Sequence, residues 1–385
     1  MVKMRRASLL LHRRSALASF AGLAAGLGAG RSAAQPRGWS RQVTDLLGRQ
    51  VTIPAQPRAV LLGEGFQLLN LALVHPDPAS ILIGMGGELK RVAPILDADY
   101  RRAFPALSRV PELTAAVGQG FSAERALALR PDLVILSAWQ ANSEEMRRVV
   151  ALLEGSGVPV IYIDIFQQPG RNTVPTVRLL GAALGQEERA EAYARFYEER
   201  RDRILRRVAE SGRPGPRVLF SAFAGRWPCC WSPGTGGGGG EFLAMLGARN
   251  VAEGLINNPR GGTLAAEQVL LSGAEVFVGT GIYLPGEGTG IQVGPGAPAD
   301  AARASLEAVL RAAEFATLPA VGARRAHGLW NAFNGAAINI VQLEALARWI
   351  RPELFGELDP AATLAEINAR FAAVPYEGAY WTSLG

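Results

Sequence analysis

The sequence predicts an α/β protein of two lobes with mostly parallel central sheets, joined by one long backbone helix, with a ligand cleft between the lobes. Three observations carry this. Short apolar runs alternate with helical stretches in the first half of the chain. The same alternation resumes in the second half. A single long, charged helix separates the two.

In the first lobe, Pro57-Arg58 leads into Ala59-Val60-Leu61-Leu62, a buried strand that stops at Gly63. Ile81-Leu82-Ile83-Gly84, Leu133-Val134-Ile135-Leu136 and Val158-Pro159-Val160-Ile161-Tyr162-Ile163 are the next strands. Helical spacing falls between them, over Phe66 to Leu73, Ala123 to Leu129 and Ser143 to Leu153.

From Gln186 to Glu210 the apolar residues Ala190, Tyr193, Tyr197, Ile204 and Val208 recur at helical spacing. Glu191–Arg195, Glu199–Arg203 and Asp202–Arg206 are i,i+4 pairs in the favourable order, acid first. The segment reads as one helix of roughly 37 Å at 1.5 Å rise per residue. Gly212, Pro214, Gly215 and Pro216 end it.

The second lobe opens as the first did, with Pro216-Arg217 before Val218-Leu219-Phe220. Helices are expected over Glu241 to Leu246 and Leu264 to Leu271, and a strand over Val276 to Gly279. Ser305 to Ala313, Ala336 to Ile350 and Thr363 to Phe371 are helical. The two lobes also share a local pattern. Glu124 lies eight residues before Asp132, which opens a strand, and Glu267 lies eight residues before Glu275, which opens another. The organisation expected is an export signal over 1–34, a first lobe over 35–185, a connecting helix over 186–211 and a second lobe with a helical tail over 212–385.

Hydrophobic residues make up 49% of the 385 and charged residues 19%, which fits a folded globular chain. The net charge of +6 is not a nucleic-acid footprint. Six of the 40 basic residues (Lys3, Arg5, Arg6, Arg13, Arg14 and Arg31) stand in residues 1–34, which hold no acid, leaving 34 against 34 acidic residues. That segment reads as a cleavable export signal: a basic start, a mildly apolar stretch from Ala16 to Gly30, and Ser32-Ala33-Ala34 before the cut. Arg13-Arg14 suits the twin-arginine route and the basic start equally suits Sec, so a periplasmic location is expected by either. Cys229 and Cys230 are adjacent and read as two unpaired thiols.

Several stretches together resemble one family. They are Asp45-Leu-Leu-Gly48-Arg49 with Val51-Thr-Ile-Pro54, Gly118 through Ser122-Ala-Glu124 to Arg130-Pro-Asp132-Leu-Val-Ile135, and Gly247-Ala-Arg-Asn250-Val. The chain is similar to helical-backbone (class III) periplasmic substrate-binding proteins, which serve ABC importers of ferric siderophores, haem, cobalamin and related chelates. The resemblance runs from about Val43 to Ile350. It implies a binding protein without enzymatic activity, monomeric, that hands a small-molecule metal chelate to a permease dimer in the inner membrane. It also implies that Glu124 and Glu267, one per lobe, pair with permease arginines, and complementary charge would register such a docking. The bland alternative is that both acids only favour helix N-termini.

Ligand contacts are expected on loops that follow the strands. The first-lobe candidates are Glu64, Phe66, Met85, Trp139 and Phe166; the second-lobe candidates are Arg226, Trp227, Trp231, Tyr283, Trp330 and Asn331. Aromatic faces suit flat or catecholate ligands and arginine suits anionic chelates. Any single aromatic is more readily read as core, since large aromatics dominate cores, and Trp139 and Trp227 are the better candidates because each follows a strand. Past the signal, His75 and His327 are the only histidines and no His/Cys/Asp cluster has metal-ligand spacing, so no bare metal site and no cofactor are expected. His327 reads as structural. The glycine run Gly236–Gly240 lacks a following Gly-Lys-Ser/Thr and is not a nucleotide loop. The expected ligand is a ferric siderophore, with molybdate or another oxyanion, haem or cobalamin as alternatives. A sensory binding module would share the fold. A hydrolase would need a Gly-x-Ser-x-Gly elbow, and none is present.

Overall fold

The computed structural model describes residues 38–114, 119–258 and 261–385. The expected export signal over 1–34 lies outside the described residues, as does Gly118 of the family-like stretch.

After a short antiparallel hairpin, β1 (Arg41–Thr44) and β2 (Gln50–Ile53), the chain lays down β3 (Val60–Leu62), β4 (Leu82–Gly84), β5 (Leu133–Ser137) and β6 (Val160–Ile163). These four form one parallel sheet in the order β4-β3-β5-β6. Parallel strands covered on both faces must be apolar throughout, and β3, β5 and β6 are buried at every residue. The covering helices include Gln67–Val74, Glu144–Gly155 and Pro169–Leu184.

The second lobe holds β7 (Arg217–Ser221), β8 (Trp231–Ser232), β9 (Arg249–Asn250), β10 (Gly262–Thr263), β11 (Val276–Gly281), β12 (Ala326–Trp330) and β13 (Trp381–Ser383). Its sheet has the order β13-β12-β11-β7-β9, parallel except for β13. The pair β8–β10 stands apart as a small antiparallel ladder.

The shared local pattern is structural. Asp132 accepts the N–H groups of Arg58 (2.8 Å) and Ala59 (2.9 Å), and its own N–H donates to Ala59 O at 2.9 Å. Glu275 accepts the N–H of Arg217 (2.8 Å) and donates its own to Arg217 O at 2.8 Å. In each lobe the acid before one central strand clamps the start of its neighbour. Main-chain groups at a strand start lack ladder partners, and a carboxylate supplies them.

One helix of 25 residues, Glu187–Ser211, joins the lobes and ends at Gly212 in the left-handed conformation. Of the three expected i,i+4 pairs, Glu191–Arg195 forms at 3.0 Å. Arg203 turns instead to the buried Glu344 at 3.7 Å, and Asp202 bonds Arg201 at 2.8 Å. Glu344 lies on the Ile340–Ile350 helix, so that helix draws Arg203 away from Glu199.

Buried polar contacts fasten the lobes along this backbone. Tyr197 OH donates to Asn339 Oδ1 (2.7 Å), and Asn339 Nδ2 donates to Thr173 Oγ1 (2.9 Å). Tyr193 OH donates to Ala337 O (2.9 Å), and Asn70 bonds both Gly335 O and Ala337 N. Glu241, in the Gly239–Met245 helix of the second lobe, accepts the N–H groups of Gly170 (2.8 Å) and Arg171 (3.1 Å) at the start of the Pro169–Leu184 helix of the first. A carboxylate there meets unpaired helix donors and the positive end of the dipole.

Candidate ligand cleft

In both lobes the parallel strands point their C-terminal ends toward the interlobe region, where open α/β sheets bind ligands. A cavity of about 420 Å³ lies there. From the first lobe it takes Phe166, Gln167 and Gln168, on the loop after β6. From the second it takes Phe220, Ala222, Phe223, Trp227, Trp231, Pro233, Asn331, Asn334 and the turn around Gly236 to Gly239. No Asp, Glu, Lys, Arg or His is among these residues.

The loop 222–231 makes the aromatic wall. Phe223 has φ +50°, a left-handed conformation that costs a non-glycine residue of order 1 kcal/mol or more. It is held there by its N–H to Thr280 Oγ1 (3.0 Å) and by its carbonyl, which accepts from Arg226 N (2.9 Å) and Trp227 N (3.0 Å). The turn brings the rings of Phe223 and Trp227 to 4.3 Å and sets Trp231 edge-on to Trp227 at 6.2 Å. Trp227 remains 45% exposed, as an open ligand face requires. Thr280 Oγ1 in turn donates to Asn331 Oδ1 at 2.7 Å, fixing an amide on the cavity wall.

Cys229 and Cys230 are not free thiols: they form a vicinal disulfide in this loop. Adjacency rules out stapling distant segments, but the bonded pair still shapes the turn between Trp227 and Trp231. The main chain of Cys230 is tied to Leu264 by two bonds (3.1 and 2.9 Å). Within the glycine run, Gly239 and Gly240 fit tightly, whereas Gly236 stands in open space. A Cβ on Gly239 would come 2.7 Å from the Phe220 ring, and Gly238 N donates to Gln167 O across the lobes at 3.0 Å.

The structure divides the remaining candidates. Phe166, Trp227, Trp231 and Asn331 line the one cavity. Trp330 does not: it is fully buried, edge-on to Phe333 (5.2 Å) and Tyr380 (5.1 Å), because it faces inward as the last residue of β12. Met85 is buried as well. Arg226 ion-pairs with Glu287 at 3.0 Å and Tyr283 is half-buried on the loop after β11; neither lines the cavity. Phe66 is half-buried and packs near Gly335. Trp139 borders a separate recess of about 500 Å³ with Gln119, Gly120 and Glu145.

Glu64 joins a buried acid network instead. Its carboxylate accepts from Ser137 Oγ and from Trp139 Nε1 (3.0 Å), while Glu88, close by, accepts from Gly65 N (2.7 Å) and Thr114 Oγ1 (3.0 Å). Burial pushes the Glu64 carboxyl up to about 7, with the Glu88 charge adding and the donors opposing. Sequence reasoning missed Phe223, Phe220, Gln167, Gln168 and Asn334. The amides carried no signal, and Phe220 read as a strand core residue.

Glu124 and Glu267 are both exposed, each in the first turn of a short helix, Ala123–Ala128 and Ala266–Leu271. Hydrogen bonding by its own N–H and by Ser122 OH (2.8 Å) holds the Glu124 carboxyl below its usual range. Leu270 and Leu271 stand exposed beside Glu267.

Comparison with known proteins decides the family. A family profile described as periplasmic binding protein matches residues 71–325. The chain belongs to the periplasmic binding protein family. No curated protein matches it. Among solved structures it is similar to a TroA-like periplasmic binding protein, FepB, from Veillonella parvula, with 24% identity, TM-score 0.78, and coverage of 89% of this chain and 99% of that one. It is also similar to the molybdate-bound protein MolA of a Haemophilus influenzae ABC transporter (17% identity, TM-score 0.63, coverage 88% and 99%). A third is a periplasmic haem-binding protein from Pseudomonas aeruginosa (23%, TM-score 0.52, coverage 79% and 94%). As a periplasmic binding protein this chain is a carrier rather than an enzyme. Among the described residues no helix is long and apolar enough to cross a membrane.

Proposed function

We propose that this periplasmic binding protein captures a metal already wrapped in an organic chelator, a ferric siderophore, in the aromatic cavity between its lobes. The observation that carries this reading is the cavity wall itself. Phe166, Phe223, Trp227 and Trp231 present ring faces, and Gln167, Gln168, Asn331 and Asn334 present neutral amides. Stacking and amide hydrogen bonds suit the flat, oxygen-rich exterior of a chelate. A bare cation would need carboxylate, imidazole or thiolate ligands at the wall.

In this reading the loaded protein docks on an inner-membrane permease dimer through Glu124 and Glu267, one exposed carboxylate per lobe meeting a basic patch on each permease subunit. The protein acts as a monomer, needs no cofactor of its own, and reaches the periplasm by cleavage of residues 1–34.

The four amides and the glycine-rich turn also favour a second reading, capture of an oxyanion such as molybdate, for which N–H donors are the natural ligands. One titration separates them. Tryptophan fluorescence is followed against ferric catecholates, ferric hydroxamates, ferric citrate, haem, cobalamin and molybdate. Saturation by a ferric chelate with no response to molybdate supports the first reading. Saturation by molybdate alone overturns it in favour of the second.

A further inference from the structure

The second lobe carries another cavity, of about 500 Å³, at the opposite end of β12 from the cleft. Asn331, just past the end of β12, lines the cleft; His327, near its start, lines this cavity. Trp349 and Trp381 give it aromatic walls, and Arg324, Arg325 and Arg348 surround it. No Asp or Glu is among its lining residues. The strand β13 and the start of the C-terminal segment, around Pro352 to Pro360, complete it.

The three guanidinium groups are held by main-chain carbonyls. Arg324 donates to Leu384 O, Arg325 to Trp349 O and Ile350 O (3.2 Å each), and Arg348 to Leu358 O (3.0 Å). A carbonyl orients a guanidinium without cancelling its charge; Arg325 also feels the Glu353 carboxylate, so the positive field of the cavity rests on Arg324 and Arg348. His327 adds none. Its ring stacks on Trp349 (4.5 Å, 2° between planes), and Nδ1 lies 2.8 Å from Ser383 Oγ. Burial and the neighbouring Arg325 hold its pKa down to about 3, so it is neutral and braces the Trp349 face.

We propose that this cavity is a second binding site, independent of the cleft, for a small planar aromatic anion whose ring stacks on the tryptophan walls and whose acid group meets Arg324 and Arg348. Guanidinium forks match planar carboxylate or sulfonate groups, and indole faces match flat rings. The volume falls in the usual range for small-ligand sites. This inference does not rest on the transport reading, and it can fail while that reading stands.

The test is calorimetric titration of the full chain with 2-naphthalenesulfonate, with 2-naphthalenemethanol as the neutral control. One saturable site is expected, at least about tenfold tighter for the sulfonate than for the alcohol, a gap of about 1.4 kcal/mol. Arg324→Ala with Arg348→Ala should weaken it about tenfold or more. Both arginines are exposed, so the fold should survive, which thermal melts check. Arg324→Lys with Arg348→Lys, which keeps the charge, should restore part of the affinity. Trp227→Ala, which alters only the cleft, should leave it unchanged. Absence of saturable binding overturns the proposal. So do binding that survives the double alanine change, binding lost with Trp227→Ala, or equal competition by inorganic sulfate.

Discussion

The indole Nε1 of Trp139 donates a 3.0 Å hydrogen bond to Oε2 of Glu64. Glu64 follows β3 and Trp139 follows β5, so the bond stitches together the ends of two neighbouring strands on the side that faces the second lobe. It also orients an indole by means of a group that titrates near neutrality.

Stability should therefore depend on pH through Glu64. Its folded pKa is about 7 against a model-peptide value of 4.5, so between those values the folded state binds more protons than the unfolded chain. The associated stability is fully present below about 4.5 and declines as pH rises to about 7, then levels. Urea midpoints for the native chain should be lower at pH 8 than at pH 5. Glu64→Gln keeps an acceptor for Trp139 and should remove much of that decline. An identical decline in the variant would assign the effect to other groups.

Trp227 offers the clearest separation of binding from folding. Its ring is 45% exposed, so truncation to Ala should cost about 1 kcal/mol of stability or less, the range of surface changes. The same change removes one wall of the cavity. Affinity for whichever ligand of the panel saturates should fall at least about tenfold, the scale of an aromatic hot spot. Thermal melts and fluorescence titration read the two effects separately, and an unchanged affinity would place the ligand elsewhere.

Reversing Glu124 and Glu267 to Lys should abolish delivery and leave capture intact. Both acids are exposed, and neither lines the cavity. Uptake in cells carrying the cognate permease should be lost while ligand affinity of the purified variant stays within about twofold, because rim charges act on docking. Normal uptake would remove both residues from the interface.

Much of the architecture was legible in the sequence. The runs at 59–62, 133–136 and 158–163 are strands because short, β-branched apolar stretches buried on both faces leave few other options. The long helix showed itself through periodicity and a clear stop. The Pro169–Leu184 helix did not, since Gly170, Thr173 and Thr176 break the apolar pattern while packing inside, and Pro175 stands exposed within the helix. β12 was hidden because Ala326-His327-Gly328 has little strand character, and its place comes from pairing with β11 and β13. In the cleft, the exposed Trp227 was readable as a residue that follows a strand. Phe223 was not, because its role depends on a left-handed turn that no local pattern announces.

The buried contact between the lobes gives the last prediction. Asn339 is fully buried and joins two partners from the first lobe's side, accepting from Tyr197 OH and donating to Thr173 Oγ1. Asn339→Ala would strand the Tyr197 hydroxyl in a dry environment, at a cost of about 2 kcal/mol. Tyr197→Phe leaves the buried Asn339 Oδ1 without its donor and should likewise cost about 1–2 kcal/mol. The double variant should then be more stable than the sum of the two losses implies, the signature of a direct pair. Urea denaturation of the four proteins measures this coupling. Simple additivity would remove this pair from the contacts that fasten the lobes. Measured coupling would instead make the pair a local brace on lobe motion, and Asn339→Ala should then also broaden the interlobe distance seen by paired spin labels.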